Sequence, residues 1–401
     1  MTGIPGTELR RSPATRSPLY HRRLVLLCVS QAVGSIGLAA GAVAGPLLAE
    51  TVTGSAAYGP LPLGLLVIGA ALSAPVVTGA MRWVGRARGL AACHVVAAAG
   101  AAVVVLAGAR HLAPLLSGSL LLGVGNTGVM LGRYAAADLA TPERRAEAMG
   151  VAMAAVTVGA VAGPALLGPA GVLAAQLGLP AALGLFVLAL ALFPVTGAIG
   201  LLADRGAEDR SPAARARTVT AASRARLAPL LVLAVTNLTM VSVMGAMPNH
   251  LRHHDWDLHG AGLVIGTHVA AMFGPSPLTG RLIRQFGYRR VSLSGAVLMV
   301  AAMVVGVFWT GEGDVVLLLL LGLGWNLQLL GGTAWLIDVT PDGLRHRAEG
   351  LGEVVMGMAA ATGTLLVAGP LLAIGDLPML CLAFVALNVA ATAAFARGGR
   401  R

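Results

Sequence analysis

The sequence predicts an all-α polytopic membrane protein with twelve transmembrane helices in two pseudo-symmetric six-helix bundles. Of its 401 residues, 57% are hydrophobic and only 11% are charged, whereas a soluble domain carries about 25% charged residues. Long runs almost free of charge recur from residue 24 to the C-terminus. A run of about 18 or more such residues is typical of a membrane-spanning helix. A polar linker divides these runs six and six, and the two sets repeat each other.

The hydropathy pattern places each span between charged or turn-forming residues. The twelve expected spans are 24–46, 59–80, 88–109, 112–135, 147–170, 178–203, 228–248, 260–283, 289–310, 314–338, 349–374 and 377–396.

The chain divides into two halves that share short motifs. We expect a tail at 1–23, a bundle at 24–203, a linker at 204–227, a second bundle at 228–396 and a tail at 397–401. "MRWVGRARG" (81–89) returns as "IRQFGYRRV" (283–291), and "RAEAMG" (145–150) returns as "RAEGLG" (347–352), both 202 residues later. Two such halves around a site at the membrane midplane are typical of secondary transporters.

The distribution of the positive charge indicates the topology of the protein in the membrane. The net charge is +11, and all 28 basic residues are arginines. In the twelve-span arrangement 26 of them fall on one side of the membrane, and only Arg110 and Arg252 fall on the other. Since loops rich in arginine stay in the cytoplasm, both termini are expected there, in a multi-pass protein of the inner membrane. This distribution argues against nucleic acid as a partner.

No arrangement of residues typical of a hydrolase or a redox site is recognisable in the sequence. Cys28, Cys93 and Cys381 lie inside predicted helices and are expected to be buried apolar side chains. The outer loop "PNHLRHHDWDLHG" (248–260) holds four histidines, but their irregular spacing favours solvated side chains over a zinc site. A chain without lysine lacks the nucleotide-phosphate loop. We therefore expect no enzymatic activity, no cofactor and no metal.

Two motifs resemble those of the major facilitator superfamily. "GRLIRQFGYRR" (280–290) is similar to the superfamily's loop between helices 8 and 9. "GVAMAAVTVGAVAGPALLGPAG" (150–171) resembles the helix-5 motif of its drug–proton antiporters. The matching residues of that motif are Gly150, Gly159, Gly163, Pro164 and Gly168.

A second resemblance qualifies the antiporter assignment. "GRYAAADLATPERR" (132–145) resembles an Arg-Phe-Ala-Ala-Ala-Asp run in a poorly characterised bacterial branch of the superfamily. Ser119 stands where the antiporters carry an arginine on helix 4. This departure weakens the assignment to proton antiport.

The glycines of the fifth span allow close helix packing. Gly159 and Gly163 lie four residues apart on one face, and small residues let two membrane helices approach closely. Pro164 frees a backbone carbonyl and permits a bend. The resemblance implies that this face meets the eighth span of the other half, as a bendable contact between moving halves. The alternative is a glycine-rich helix that only packs.

A charge contact between the halves, here called the latch, is expected on the cytoplasmic side. Arg82 and Arg284 occupy loop positions where the resemblance implies an acid, whereas Glu147, Glu349 and Glu353 lie at the starts of helices. The polarity of the latch is therefore expected to be reversed, and Glu353 is expected to approach Arg82 when the cytoplasmic side closes. Alternatively, these glutamates only favour the positive ends of helix dipoles.

Ionisable groups inside a membrane are costly and are candidates for a functional site. The coupling candidates are Glu353, which could serve as proton site or latch, His268, which could carry a proton or bond a neighbouring helix, and the pair Arg133 and Asp138. Neutral polar residues in spans are candidates for the cavity, although each is more often an interhelical hydrogen bond. These candidates are Gln31, Asn126, Asn237, Asn326 and Gln328. His94 is expected to be structural.

These observations together predict a secondary transporter that works by alternating access. Its expected task is proton-coupled export of a small, largely apolar organic molecule, by a monomer whose other partners are protons and the lipid bilayer. The alternatives are an importer of a metabolite or vitamin with the same fold, and a non-transporting membrane sensor or scaffold.

Overall fold

The described part of the chain is built from helices. A computed structural model describes residues 18–55, 58–204, 221–253, 258–309, 311–363 and 377–398. In chain order its α-helices are α1 (Pro18–Ala39), α2 (Gly45–Thr53), α3 (Pro60–Val84), α4 (Arg86–Val103), α5 (Leu112–Leu139), α6 (Arg145–Ala165), α7 (Leu167–Gln176), α8 (Gly184–Asp204), α9 (Ala221–His253), α10 (Leu258–Phe273), α11 (Ser276–Phe286), α12 (Tyr288–Phe308), α13 (Glu312–Asp338), α14 (Arg345–Thr362) and α15 (Leu377–Gly398).

Within the described ranges, nine helical stretches are long and apolar enough to cross a membrane. They are Pro18–Thr53, Pro60–Val84, Arg86–Gly108, Leu112–Leu139, Pro142–Ala165, Ala181–Ala203, Ala225–Met247, Tyr288–Phe308 and Glu312–Asp338. The predicted eighth span is divided into α10 and α11, the eleventh is described only to residue 363, and the twelfth contains a shorter apolar helix, Leu377–Ala391. The all-helical membrane fold is confirmed, whereas the number twelve stays a prediction.

Glycine and proline interrupt helices where the sequence places them. α6 contains Pro164 and ends at Ala165, and the amide of Leu166 bonds back to the carbonyls of Ala162 and Gly163 before α7 begins. Gly274-Pro275 separates α10 from α11. Proline has no amide hydrogen and therefore cannot continue the helical bonding pattern.

We call residues 18–204 the N-terminal half and residues 221–398 the C-terminal half. Each half packs internally, α5 against α3 and α4 in the first and α13 against α10 and α12 in the second. The halves meet along two seams: α3 against α14, here called the first seam, and α6 against α11, here called the second seam. The predicted linker at 204–227 falls mostly outside the described residues.

Both seams lie at one end of the bundle. Arg82 and Arg86 at the turn between α3 and α4, and Arg284 and Arg289 around the turn between α11 and α12, lie near the starts of α6 and α14. We call this the arginine-rich end.

Candidate functional site

Two turns of nearly the same backbone geometry position the arginines. Gly85 joins α3 to α4 with φ 87°, and Gly287 joins α11 to α12 with φ 82°. Positive φ is accessible to glycine at little cost. At each of the two turns, a single glycine therefore connects one helix to the next. The two glycines are 202 residues apart, the spacing of the repeated motifs. The internal repeat seen in the sequence therefore extends to the backbone.

The first turn supports a partly buried charge cluster, here called the Arg86 cluster. Its members are Arg86, Asp138, His346 and Glu349. Arg86 Nε donates to Asp138 Oδ2 at 2.7 Å, and its two terminal nitrogens lie 2.9 Å from the two oxygens of Glu349. His346 Nδ1 lies 3.1 Å from Arg86 Nη2 and 3.3 Å from Glu349 Oε2. Since α4 and α14 belong to different halves, Arg86 ties the halves together through a charge-assisted hydrogen bond from Nη2 to Glu349.

A second ion pair joins the halves closer to the centre of the molecule. Arg133 Nη2 of α5 donates to Glu353 Oε1 of α14 at 2.5 Å, and the two side chains are 0% and 9% exposed. Arg133 also donates to the carbonyl of Met130 at 2.6 Å, and its guanidinium lies 4.6 Å from the centroid of the Tyr134 ring. A buried charge needs such compensation because desolvation is costly. The sequence candidates Arg133 and Glu353 thus form one site.

The second seam carries a more exposed pair. Arg284 Nε lies 2.9 Å from Glu147 Oε1, with side chains that are 48% and 22% exposed. The predicted contact between an arginine on this loop and a carboxylate at a helix start is therefore present. Its role as a latch stays a prediction.

Two other predicted latch partners do not meet. The expectation that Arg82 approaches Glu353 is wrong, because Glu353 is held by Arg133 and Arg82 Nε donates to the carbonyl of Gly79 in its own helix, at 3.3 Å. Of the two arginines at this turn, Arg86 is the one that reaches the other half. The sequence analysis did not select Arg86. One signal could have found it: Arg86 directly follows the turn glycine and therefore begins the next helix at the seam.

Of the glycines predicted from the helix-5 motif, Gly150 lies where the two halves meet. Other glycines at the seams were not predicted. A Cβ at Gly150 would meet the backbone carbonyl of Ser276 in α11, and one at Gly280 would lie 2.5 Å from the carbonyl oxygen of Ala146 in α6. In the first seam, a Cβ at Gly357 would lie 2.6 Å from that of Ala71. These glycines allow the two backbones of each seam to touch.

Gly159 and Gly163 pack inside one half instead. A Cβ at Gly159 would meet Ser35 and Ile36 of α1, and one at Gly163 would meet Ala39 of the same helix. The expectation that they face the eighth span is therefore wrong, because this face of α6 points towards α1. Gly168 has open space where a Cβ would stand.

Most of the polar cavity candidates bond neighbouring helices within one half. Asn326 Nδ2 donates to the carbonyl of Met272 and to Ser276 Oγ, beside the break between α10 and α11. Gln328 bonds Thr236 of α9, and Asn237 Nδ2 donates to the carbonyl of Met356 at 2.9 Å. These amides hold the C-terminal half together.

The remaining candidates have other surroundings. Gln31 is buried in the N-terminal half and lines a small pocket there, and Asn126 is half-buried. His268 Nδ1 lies 2.8 Å from the carbonyl oxygen of Leu318, so this buried histidine bonds α10 to α13.

Sulfur-containing and aromatic side chains fill the region where the halves meet. Met153, Trp325 and Met356 are buried in one packed cluster, and Met130 and Phe273 pack against it and are themselves partly buried. The Phe273 and Trp325 rings meet edge to face, 5.4 Å between centroids. We call these five residues the central apolar cluster. It can contact an apolar molecule, since thioethers adapt their shape to a ligand.

The loop histidines lie largely beyond the described side chains. Of the predicted loop at 248–260, residues 254–257 fall outside the described ranges. The Nε2 atom of His250, in α9, lies 3.1 Å from Asp314 Oδ1 of α13. In the ranges described, no group of three or more metal-ligating side chains comes together.

Comparison with known proteins places the chain among transporters. No family model matches the sequence. It is 34% identical over 374 residues to the uncharacterized MFS-type transporter YdeG of Bacillus subtilis, covering 88% of this chain and 86% of the relative. It is 30% identical over 362 residues to the riboflavin transporter RfnT of Brucella anthropi, covering 85% and 87%. Among solved structures, the human organic anion transporter MFSD10 superposes with a TM-score of 0.78 over 94% of this chain and 100% of that chain, at 15% identity.

Proposed function

The chain belongs to the major facilitator superfamily and is a transporter, not an enzyme, and on that premise we propose that it exports a small, largely apolar organic molecule in exchange for protons. It would act as a monomer with twelve spans in two six-helix bundles. The arginine-rich end would face the cytoplasm, because arginine-rich loops are retained there. Single cysteines at positions 143 and 215 should then be protected from membrane-impermeant reagents in intact cells. Labelling of either position from outside would overturn this topology.

The packing of the two seams supports an outward-open state. Both seams are closed at the arginine-rich end, where backbone approaches backbone at Gly150, Gly280 and Gly357. Transport by alternating access requires the opposite state too, in which the halves rock apart at this end. Opening must break the ion pairs that cross the seams, so these pairs set the balance between the two states.

The buried pair of Arg133 and Glu353 carries the proposal of proton coupling. Arginine stays charged in proteins, so the proton of the cycle would be held by Glu353. A proton that enters from the outer side neutralises Glu353 and releases Arg133, which favours opening at the arginine-rich end. Loss of that proton to the cytoplasm restores the charge, and the pair forms again as the seam closes. Protons thereby move inwards while the substrate moves outwards.

The other coupling candidates have supporting roles in this scheme. Asp138 holds Arg86 at 2.7 Å and thereby orients it towards Glu349. His268 is engaged with the carbonyl of Leu318 inside the C-terminal half, which favours a packing role.

The central apolar cluster supports an apolar substrate. The Trp325 indole nitrogen donates to Asn237 Oδ1 at 3.0 Å, so its polar atom is satisfied, while its ring packs against Phe273. Met130 and Phe273 are partly buried beside it. A site of this composition gains affinity from apolar burial and tolerates several ligand shapes.

Transport in vesicles of known orientation tests the proposal. Everted vesicles that contain the protein should accumulate apolar compounds from a panel only when an imposed gradient makes their interior acidic. Accumulation that is independent of the gradient would overturn proton coupling. Uptake in right-side-out vesicles driven by an acidic exterior would overturn export.

A tryptophan pair on α13 tests the substrate site. Trp325→Leu should change which compounds of the panel are transported, because Trp325 lies in the central apolar cluster. Trp335→Leu is the matched control, since Trp335 stacks on Tyr288 near the arginine-rich end, with centroids 5.7 Å apart. An unchanged compound range in Trp325→Leu would place the substrate elsewhere.

Import of a vitamin-like aromatic compound is the second candidate. The relative RfnT is named a riboflavin transporter, and a planar ring system could stack on Trp325. Uptake of labelled riboflavin by cells that express this chain would favour import, and a lack of uptake would leave export as the better account.

A further inference from the structure

Exposed aromatic side chains lie at both ends of α3. Tyr58, just before the helix, is 43% exposed, and Trp83, near its last residue, is 83% exposed. The helix has 25 residues and is therefore about 37 Å long, whereas the hydrocarbon core of a bilayer is about 30 Å thick. Tryptophan and tyrosine are enriched at the two interfaces between membrane and water. The first turn, which follows Trp83, therefore lies at the level of the lipid headgroups.

Two exposed arginines accompany this tryptophan. Arg82 precedes it and Arg88 follows the turn, and both side chains are exposed. We call Arg82, Trp83 and Arg88 the Trp83 surface. An indole ring joins an apolar body to a polar N–H group, so it is stabilised where acyl chains and headgroups meet. The surface thus combines an apolar anchor with positive charge.

The protein itself does not neutralise this positive charge. Arg82 Nε donates to the carbonyl of Gly79, and among the described residues neither Arg82 nor Arg88 pairs with a carboxylate. The two carboxylates beside this turn, Asp138 and Glu349, are bonded to Arg86. The charges of the surface are therefore available to a partner outside the protein.

The second turn lacks this combination. At the repeat spacing, Arg82 corresponds to Arg284 and Trp83 to Gln285. Arg284 is paired with Glu147, and a glutamine supplies no apolar anchor. The comparison singles out the first turn.

We propose that the Trp83 surface binds the headgroup of an anionic phospholipid in the leaflet at the arginine-rich end. The guanidinium groups of Arg82 and Arg88 bond the phosphate oxygens, for which their planar donors are suited, and the Trp83 ring lies beside the upper part of the acyl chains. The ammonium group of a zwitterionic lipid is repelled by the same arginines. Two arginines near an anionic surface favour binding roughly 30-fold.

The chain contains a matched control for this surface. Trp309, at the opposite end of α12, is 49% exposed, and the exposed charged residue nearest to it in the sequence is Glu312. A carboxylate repels an anionic lipid. Trp83 and Trp309 are therefore two exposed tryptophans at opposite ends of the bundle whose charged neighbours differ in sign.

Quenching of tryptophan fluorescence by brominated lipids tests the inference. The full-length protein is reconstituted in phosphatidylcholine with a small fraction of brominated phosphatidylglycerol or, in parallel, of brominated phosphatidylcholine. Subtraction of the Trp83→Phe or Trp309→Phe signal from that of the wild type isolates each tryptophan. Brominated phosphatidylglycerol should quench Trp83 severalfold more strongly than brominated phosphatidylcholine, whereas Trp309 should show no such preference. Equal quenching of Trp83 by the two lipids would overturn the proposal.

Charge variants test the role of the two arginines. Arg82→Gln combined with Arg88→Gln should remove the preference of Trp83 for the anionic lipid, and high salt should weaken it in the wild type. The same changes at the counterparts Arg284 and Arg290 are the control and should leave it intact. A preference that persists without Arg82 and Arg88 would overturn their assignment.

Thermal unfolding in detergent distinguishes a lipid from a free anion. Phosphatidylglycerol should raise the Tm more than phosphatidylcholine does, because a ligand of the folded state stabilises it. Inorganic phosphate at the same concentration should have no such effect, since it has no acyl chains to lie beside Trp83. An equal rise with inorganic phosphate would overturn the assignment to a lipid. None of these measurements involves transport, so the surface is tested separately from the proposed export.

Discussion

The two seams have the same backbone plan and different charges. Gly85 and Gly287 turn the chain with almost the same φ, but the next residue is Arg86 in one copy and Tyr288 in the other. Arg86 bonds Asp138 and reaches across to Glu349, whereas Tyr288 bonds Asp338 at 3.0 Å and stays within its own half. The repeat therefore preserves the backbone of the turn but not the charge contacts that the next residue makes across the seam.

The buried pair has no counterpart in the second copy. At the repeat spacing of 202 residues, Arg133 corresponds to Trp335 and Glu353 to Val151. The contact across the second seam, between Arg284 and Glu147, is half-exposed. Exposed pairs contribute little, whereas a buried charge left without its partner is costly. The comparison teaches that proton coupling should reside in the first seam alone.

The largest effect is expected at the buried pair. Glu353→Gln removes the charge that holds Arg133, and the loss of one member of a buried pair costs about 3 kcal/mol or more. This corresponds to a change of roughly 100-fold in the closed-to-open equilibrium. Gradient-driven transport should therefore be abolished, while binding of the substrate persists, as measured in vesicles and by ligand titration.

Glu147→Gln is the matched control for this prediction, because it makes the same change in the second seam. Equal losses in the two variants would contradict the assignment of coupling to the first seam.

An intermediate effect is expected at Arg86. Arg86→Gln removes charge-assisted bonds to Asp138 and Glu349, each of which contributes about 2 kcal/mol. We expect the transport rate to fall roughly tenfold or more, because the closed state loses one of its ties. Arg82→Gln is the control, since Arg82 bonds only the backbone of its own helix among the described contacts. A larger loss in Arg82→Gln than in Arg86→Gln would restore the pairing that the sequence suggested.

Two glycine variants distinguish packing across a seam from packing inside one half. In Gly280→Ala the added methyl group would lie 2.5 Å from the carbonyl oxygen of Ala146, across the second seam. Such overpacking costs about 1–3 kcal/mol, so closure and transport should be impaired at a normal Tm. Gly159→Ala overpacks the contact with α1 inside one half and should lower the Tm. The reverse pattern would show that α6 faces the other half through Gly159.

The smallest effect is expected at the exposed pair. Arg284→Gln should slow transport by a factor of about five at most, because an exposed ion pair contributes about 0.2–1 kcal/mol. High salt should reduce even this difference, since exposed charges are screened. A complete loss of transport would show that the second seam controls the cycle.

The sequence predicted the helices and the repeat because both depend on local patterns. Runs of apolar residues mark spans, and the motifs at 81–89 and 283–291 marked two turns that have the same backbone. The partners of each helix face could not be predicted in the same way. Gly159 and Gly163 suggested close packing, but only the rotation of α6 decides that they meet α1.

The same limit applies to the charges. The sequence selected Arg133 and Glu353 as ionisable residues in spans, but their pairing depends on how α5 and α14 are placed across the seam. Arg86 was overlooked in favour of Arg82, because the way the turn at Gly85 is placed against α14 decides which of the two arginines reaches the other half.

The most direct test of the central claim is a distance across the arginine-rich end as a function of pH. Nitroxide labels at Glu143 and Asp342, which are exposed and lie in opposite halves, would be introduced into a cysteine-free background and measured by double electron–electron resonance. Acidification should protonate Glu353, release Arg133 and shift the wild type from a short to a long distance. Glu353→Gln should show the long distance at every pH. A wild-type distance that does not respond to pH, or a Glu353→Gln variant that keeps the short distance, would contradict the account.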